Sequence, residues 1–244
     1  PAMLDVAHIT FSYGARRILT DITFDVAPGE IIAVTGRNGA GKTTLMKILA
    51  CLLMQDAGTV RLQGIDALRR PVKYRRGIGY LSEHSPLYSD MTVEEYLTYR
   101  VRLKGERALR VRRRVSETLA ASGLSGMQDT RIRLLSHGYR KRVSLADALS
   151  THPKLLLLDD LLAGLDRPQR KACAAALAAA SSRASVVVTG HEIDEMLDWC
   201  TRVMVLDGGR IAALFRTSDF ERAELTERID RLLAGPPGGK EAPA

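Results

Sequence analysis

The segment Gly36-Arg37-Asn38-Gly39-Ala40-Gly41-Lys42-Thr43-Thr44 places glycines, a lysine and two hydroxyls at a spacing suited to gripping phosphate. Two glycines five positions apart, followed by Lys and a hydroxyl residue, fit the pattern of a phosphate-binding loop. Glycines let backbone N–H groups converge on phosphate oxygens, and a helix opening at Lys42 aims its positive end at them. In that pattern Lys42 bridges the β- and γ-phosphates of a nucleotide and the Thr43 hydroxyl ligates Mg²⁺. A chance glycine-rich turn is the competing reading, and the strand before the loop and the helix after it argue against that. The chemistry also needs a carboxylate for the metal at the end of a neighbouring strand. Leu155-Leu156-Leu157-Leu158-Asp159-Asp160 supplies one: a buried apolar run that ends in two acids. Asp159 would hold Mg²⁺, and Asp160 lies close enough to polarise an attacking water. The bland alternative is that both acids only cap a turn.

These residues need elements to carry them. Leu4 to Phe11 and Ile18 to Val26 read as strands, with a turn at Pro28-Gly29-Glu30. The run from Glu30 to Thr35 suits a buried central strand that leads into the glycine-rich loop, and Lys42 to Leu53 has helical periodicity. Further strands are expected at Gly58 to Gly64 and Gly77 to Leu81. From Thr92 to Leu149 the strand signal stops and helices take over, broken at Gly123. Strand and helix then alternate again: Leu155 to Asp159, Arg170 to Ala180 and Ser185 to Thr189. Two strands follow at Arg202 to Leu206 and Arg210 to Phe215, then a helix from Phe220 to Leu233. This alternation predicts an α/β fold with a largely parallel sheet covered on both faces. Residues 4–91 form a β subdomain and the first part of a nucleotide-binding core, 92–149 a helical insertion, and 150–233 the second part of the core. The tail 235–244, rich in Gly and Pro, is expected to be disordered, and the start Pro1-Ala2-Met3 reads as a processed end.

The residues between and around the two phosphate elements resemble one family of nucleotide hydrolases. Leu135-Ser136-His137-Gly138-Tyr139-Arg140-Lys141-Arg142-Val143 resembles the ABC ATPase signature, usually Leu-Ser-Gly-Gly-Gln before a basic helix. Ala163-Gly164-Leu165-Asp166 resembles the D-loop of that family and Thr189-Gly190-His191 its His switch. Tyr13 stands where the family stacks an aromatic ring on adenine. The resemblance runs from about Leu4 to Phe215, nearly the whole chain. It implies a P-loop NTPase core of the ABC ATPase type, with an N-terminal antiparallel β subdomain and an inserted helical subdomain. It also implies ATP and Mg²⁺ as ligands, and two subunits, as a homodimer or a heterodimer, closing head-to-tail over two ATP molecules. Gly36 to Thr44 (with Gly36, Asn38, Gly39, Ala40, Gly41, Lys42, Thr43 and Thr44 as nucleotide contacts), Asp159 and His191 would come from one subunit. Ser136 and Gly138 would come from the other, with Asp166 at the interface. A transmembrane permease would ride on the helical insertion, so the chain is expected on the cytoplasmic face of the cell membrane.

Four positions depart from the family pattern. His137 and Tyr139 replace a signature glycine and the Gln. Glu83, in Gly79-Tyr80-Leu81-Ser82-Glu83-His84, stands where the Q-loop has Gln; a carboxylate can still ligate Mg²⁺, and the competing reading is a solvated loop acid. Asp160 stands where the catalytic Glu is usual and is one methylene shorter, which predicts slow hydrolysis. Leu161-Leu162 replaces the stiffer Pro-Thr. Glu83 to Tyr88, together with Leu135 to Val143, resembles ATP subunits paired with ABC-2-type permeases, which favours export. The rivals are a subunit that binds ATP but hardly hydrolyses it, and a soluble ABC protein without a permease.

Composition limits the remaining classes. Of 244 residues 45% are hydrophobic and 26% charged, ordinary for a folded protein. No apolar run reaches the 18 residues needed to cross a bilayer. Cys51, Cys173 and Cys200 are odd in number and lack metal-ligand spacing, which reads as reduced thiols. The net charge of +8 gathers at Arg100, Arg102, Lys104, Arg107, Arg110, Arg112, Arg113 and Arg114. Such a cluster can neutralise nucleic-acid phosphates, but no aromatic side chains are interleaved there to stack on bases. A helix facing an anionic membrane surface or an acidic partner explains it as well, and no nucleic acid is expected.

Overall fold

The computed structural model describes residues 2–234; the predicted disordered tail at 235–244 lies outside the described residues. Strands β1 (Leu4–Tyr13) and β2 (Arg16–Val26) form a hairpin and lead into β3 (Ile31–Gly36) and helix α1 (Lys42–Leu49). Then come β4 (Ala57–Leu62), β5 (Ile65–Asp66), α2 (Pro71–Arg76) and β6 (Ile78–Leu81). Three helices follow, α3 (Val93–Leu103), α4 (Ala108–Ala121) and α5 (His137–Leu149). The chain then runs through β7 (Leu155–Leu158), α6 (Arg167–Ser181), β8 (Ser185–Thr189), α7 (Ile193–Met196), β9 (Arg202–Asp207), β10 (Arg210–Arg216) and α8 (Arg222–Ala234).

Two sheets result. One has the order β2-β1-β4-β5 and is antiparallel; the other has the order β10-β9-β3-β8-β7-β6 and is parallel except at β10. The central strands are apolar along most of their length because both faces are covered, with Thr35, Ser185 and Thr189 the polar exceptions in β3 and β8, and successive residues alternate between two cores. Ile32, Val34, Leu155, Leu157, Val187, Met204 and Leu206 pack towards the antiparallel sheet and α1. Ile31, Ala33, Leu156, Leu158, Val186, Val188, Val203 and Val205 pack on the other side with α5, α6 and α8. A third core lies inside the helical insertion, built on Val93, Leu97, Val101, Val111, Val115 and Val143. The parallel strands β3, β7 and β8 all finish at the same edge, so the loops after them meet there.

The first helix is shorter than the periodicity predicts, ending at Leu49 and not Leu53. Cys51 takes a left-handed φ of 56°, and the N–H groups of Leu52 and Leu53 both turn back to the Lys47 carbonyl. Helices α2 and α7 were not expected; α2 has Pro71 in its first turn, where the missing N–H costs no helical bond. Gly123 does end α4, at φ 63°.

Within the helical insertion, the end of α3 is fastened to α5 by charge. Asp147 is 7% exposed and takes Arg100 Nη2 at 2.9 Å and Lys104 Nζ at 2.8 Å, while the Lys104 ammonium also donates to the Asp147 carbonyl. Removing the acid leaves two largely buried cations facing each other. Asp147→Ala is therefore expected to destabilise the fold by roughly 2–4 kcal/mol, below the range for fully buried pairs because both cations keep some solvent. Chemical denaturation checks this, and Asp147→Asn should lose less because its carbonyl still accepts a hydrogen bond.

Candidate nucleotide-binding site

Helix α1 begins at Gly41, whose φ of 102° is left-handed, and no side chain caps its first N–H groups. A Cβ on Gly41 would lie 2.6 Å from Leu19, so glycine is needed both for the backbone angle and for the packing. The uncapped N–H groups face a cleft of about 340 Å³. Asn38, Gly39, Ala40, Gly41, Lys42, Thr43 and Thr44 line it together with Glu83, Asp159, Asp160, Thr189 and His191. The Lys42 ammonium donates to the Gly36 carbonyl at 2.6 Å and the Arg37 carbonyl at 3.1 Å. Burial lowers its pKa, while the charges of Asp160, Asp159 and Glu83 oppose that shift.

The acids are held by hydroxyls. Thr189 donates to Asp159 Oδ1 at 2.7 Å and accepts the Asp160 N–H at 2.9 Å; Thr43 donates to the same Oδ1 at 3.4 Å. Asp159 Oδ2 and Asp160 Oδ1 are buried with no hydrogen-bond partner among the described residues. Burial raises both carboxyl pKa values, and Glu83 adds repulsion at each. A buried carboxylate oxygen without a donor, beside a hydroxyl and a lysine, fits Mg²⁺ and a triphosphate. Asp160 adopts φ 54°, a left-handed angle that Asp reaches more readily than Glu. The position thus favours the shorter acid on backbone grounds, a cost that the sequence does not display.

Not every expected site residue reaches this cleft. Tyr13 ends β1 outside it, half exposed and edge-to-face with Phe11 at 4.8 Å, but it is the cross-strand partner of Arg16, which lines the rim with Ile18. Ser136, Gly138 and Asp166 gather elsewhere. Ser136 caps α5 by accepting the Tyr139 N–H at 3.4 Å, and Asp166 caps α6 by accepting the Gln169 N–H at 2.9 Å. The Gln169 carboxamide covers Gly138 so closely that a Cβ there would meet its oxygen at 2.0 Å. Arg16, Ile18 and Thr189 were not singled out as site residues. Thr189 carried a signal, a polar residue closing a buried Val run; Arg16 and Ile18 carried none, since a hairpin delivers them.

The protein-family model described as ABC transporter matches residues 19–163. The chain belongs to this family. It is 37% identical over 215 residues to the sulfate/thiosulfate import ATP-binding protein CysA of Methylococcus capsulatus, covering 85% of this chain and 61% of that protein. It is 31% identical over 238 residues to the lipopolysaccharide export system ATP-binding protein LptB of Haemophilus influenzae, covering 96% and 98%. A solved ATP-binding subunit of an ABC transporter superposes with TM-score 0.84 at 26% identity, over 95% of this chain and 99% of that one. The fold is that of an ABC ATPase, with ATP and Mg²⁺ as the ligands of the family's site.

Two substitutions test the site as drawn. Lys42→Ala should keep the fold but weaken MgATP binding or abolish turnover, because it removes the ammonium that the phosphate-loop pattern assigns to the nucleotide's phosphates; equilibrium nucleotide binding checks it. Thr189→Val keeps the volume and removes the hydroxyl that orients Asp159. It should raise the Mg²⁺ concentration needed for half-maximal MgATP binding about tenfold, with little effect on ATP binding measured without the metal.

Proposed function

We propose that this chain is the ATP-hydrolysing subunit of a transporter, working as a head-to-tail dimer on the cytoplasmic face of a membrane permease. The observation that carries the reading is the separation of two half-sites on one chain. The cleft holds Lys42, Thr43, Asp159, Asp160 and His191, whereas Ser136, Gly138 and Asp166 lie together at the starts of α5 and α6. Ser136 and the α5 N-terminus would meet the γ-phosphate of a nucleotide in a second subunit's cleft. Gln169 must then withdraw from Gly138, so closure and nucleotide contact are coupled. Bound Mg²⁺ would neutralise phosphate charge, held by Thr43, Asp159 and Glu83. Asp160 would take the proton of the attacking water, His191 at the cleft wall would face the γ-phosphate, and Tyr13 beside Arg16 would stack on the base.

A permease is proposed to seat where Glu83 connects the nucleotide to the helical insertion. Glu83 lines both the nucleotide cleft and a second cavity of about 520 Å³ bounded by Pro86, Leu87, Arg133, Arg140 and Lys141. Beside it, Tyr88 packs edge-to-face with Tyr96 at 5.9 Å and Tyr99 at 5.7 Å, and Tyr88 and Tyr99 remain nearly half exposed. Exposed aromatic clusters of this kind suit a protein interface. The curated relatives include an import subunit and an export subunit, so they do not choose a direction. Export through an ABC-2-type permease is proposed on Glu83 to Tyr88 and Leu135 to Val143 alone.

The reading predicts specific behaviour at Asp160. Asp160→Asn should leave MgATP bound and lengthen the life of the closed dimer, seen as ATP-dependent dimerisation by size-exclusion chromatography. Asp160→Glu extends the carboxylate and should raise phosphate release several-fold at nearly unchanged ATP affinity; the left-handed backbone there limits the gain. If Asp160→Asn hydrolyses as fast as the parent, Asp160 is not the base. Crosslinkers at Tyr88, Met91 or Tyr99 should capture a permease in membranes, and capture only from the Phe215 side would contradict the docking assignment.

A further inference from the structure

The arginine-rich face of the helical insertion takes no part in the nucleotide site. Helices α3 and α4 form a hairpin joined by residues 104–107, and at its tip Leu103 is 61% exposed and Leu109 is 99% exposed. These are the ends of two adjacent helices, so both leucines project from the same corner. On α4, Arg112 and Arg113 follow Leu109 by three and four positions and therefore flank it on one face. Arg102, Arg107, Arg110, Arg112 and Arg113 are all exposed. Among the described residues, Arg102, Arg107, Arg110 and Arg112 enter no ion pair; the local acids are taken up by Arg113 and Arg114, which bind Glu117 at 2.7 and 3.6 Å, and by Arg114 with Glu106 at 3.2 Å. Round α4 from Leu109, with Arg113 shared between the two faces, opens a cleft of about 630 Å³. There Arg110, Arg113 and Arg114 converge with Arg183 and His152, which come from the turn after α6 and the loop after α5, around one acid, Glu117.

We propose that this corner contacts an anionic phospholipid surface directly, with Leu103 and Leu109 sunk among the headgroups and the arginine cleft taking lipid phosphates. Charge complementarity selects the headgroup: Arg110 and Arg183 line the cleft without acid partners among the described residues, the four lining arginines outnumber the single lining acid Glu117, and guanidinium groups bind phosphate in a forked geometry. The shape selects a bilayer over an acidic polypeptide. Leu109 is a convex, fully projecting apolar side chain. A soft interface accepts it without a preformed pocket, and arginines beside it can lie along the apolar layer with their heads in water. No helix among the described residues is long and apolar enough to cross a membrane, so the contact would be peripheral. It needs no permease and stands or falls apart from the transport reading.

Purified full-length protein is floated with neutral phosphatidylcholine vesicles and with vesicles containing phosphatidylglycerol, at low and high salt. Binding is expected only to the anionic vesicles and should weaken with salt. Neutralising Arg110→Gln and Arg113→Gln should weaken partition about fivefold each, whereas Arg110→Lys and Arg113→Lys keep the charge, lose only the forked contact and should weaken it less than the glutamine variants. Leu109→Ser should weaken partition about tenfold at every salt concentration, since the apolar part is not screened. MgATP binding, at a separate cleft, reports that each variant is folded. The proposal is overturned if the parent ignores anionic vesicles, if the glutamine variants bind them as tightly as the parent, or if polyglutamate and not vesicles is bound in an arginine-dependent way.

Discussion

The Thr189 hydroxyl, at the end of β8, donates a hydrogen bond to Asp159 and accepts one from the backbone N–H of Asp160. Asp159 follows β7, and β7 and β8 are adjacent parallel strands in register from Leu155–Ser185 to Leu158–Val188. One hydroxyl therefore fixes the position of two consecutive acids relative to the neighbouring strand. The phosphate loop after β3 arrives on the other side of β8, and Thr43 reaches the same Asp159 oxygen. If this bridge slipped by one residue, the carboxylates would point into the opposite core. That is why the apolar packing on both faces of the parallel sheet matters to chemistry: it holds the register that the bridge reads out.

A second constraint follows from what the acids lack. Two buried carboxylate oxygens have no donor within the described residues, and burial raises both acids' pKa values. Buried carboxylates of this kind call for a compensating positive charge, which a divalent cation together with Lys42 would supply. The groups suited to the far side of the nucleotide sit on another surface, where Gln169 rests against Gly138. One chain thus presents a cleft whose two acids lack donors and, on another surface, a covered helix start, and the proposed pairing of two chains would bring the two together.

Much of this was legible in the sequence. Gly36 to Thr44 and Leu155 to Asp160 announced the site because phosphate and Mg²⁺ demand particular groups at fixed spacing. The buried strands were legible because continuous apolar runs have few alternatives. What the sequence did not display depended on contacts far apart in the chain. Arg16 and Ile18 line the cleft only because a hairpin folds over α1. The early end of α1 depends on the left-handed turn at Cys51. The preference for Asp at position 160 appears only with its backbone angle, which qualifies the argument from side-chain length alone. Tyr13 was placed by analogy and stands next to the cleft, not in it.

The central claim is that the cleft of one chain is completed by the α5 start of another. Asn38 and Ser136 are both exposed and belong to the two half-sites. The direct measurement mixes Asn38→Cys and Ser136→Cys proteins, both carrying Asp160→Asn, and adds a short bifunctional thiol reagent with and without MgATP. The account predicts a mixed crosslinked dimer that forms with MgATP and is lost when Lys42→Ala is also present in both chains. Crosslinking that is absent with MgATP bound, or equal with and without it, would contradict the head-to-tail composite site.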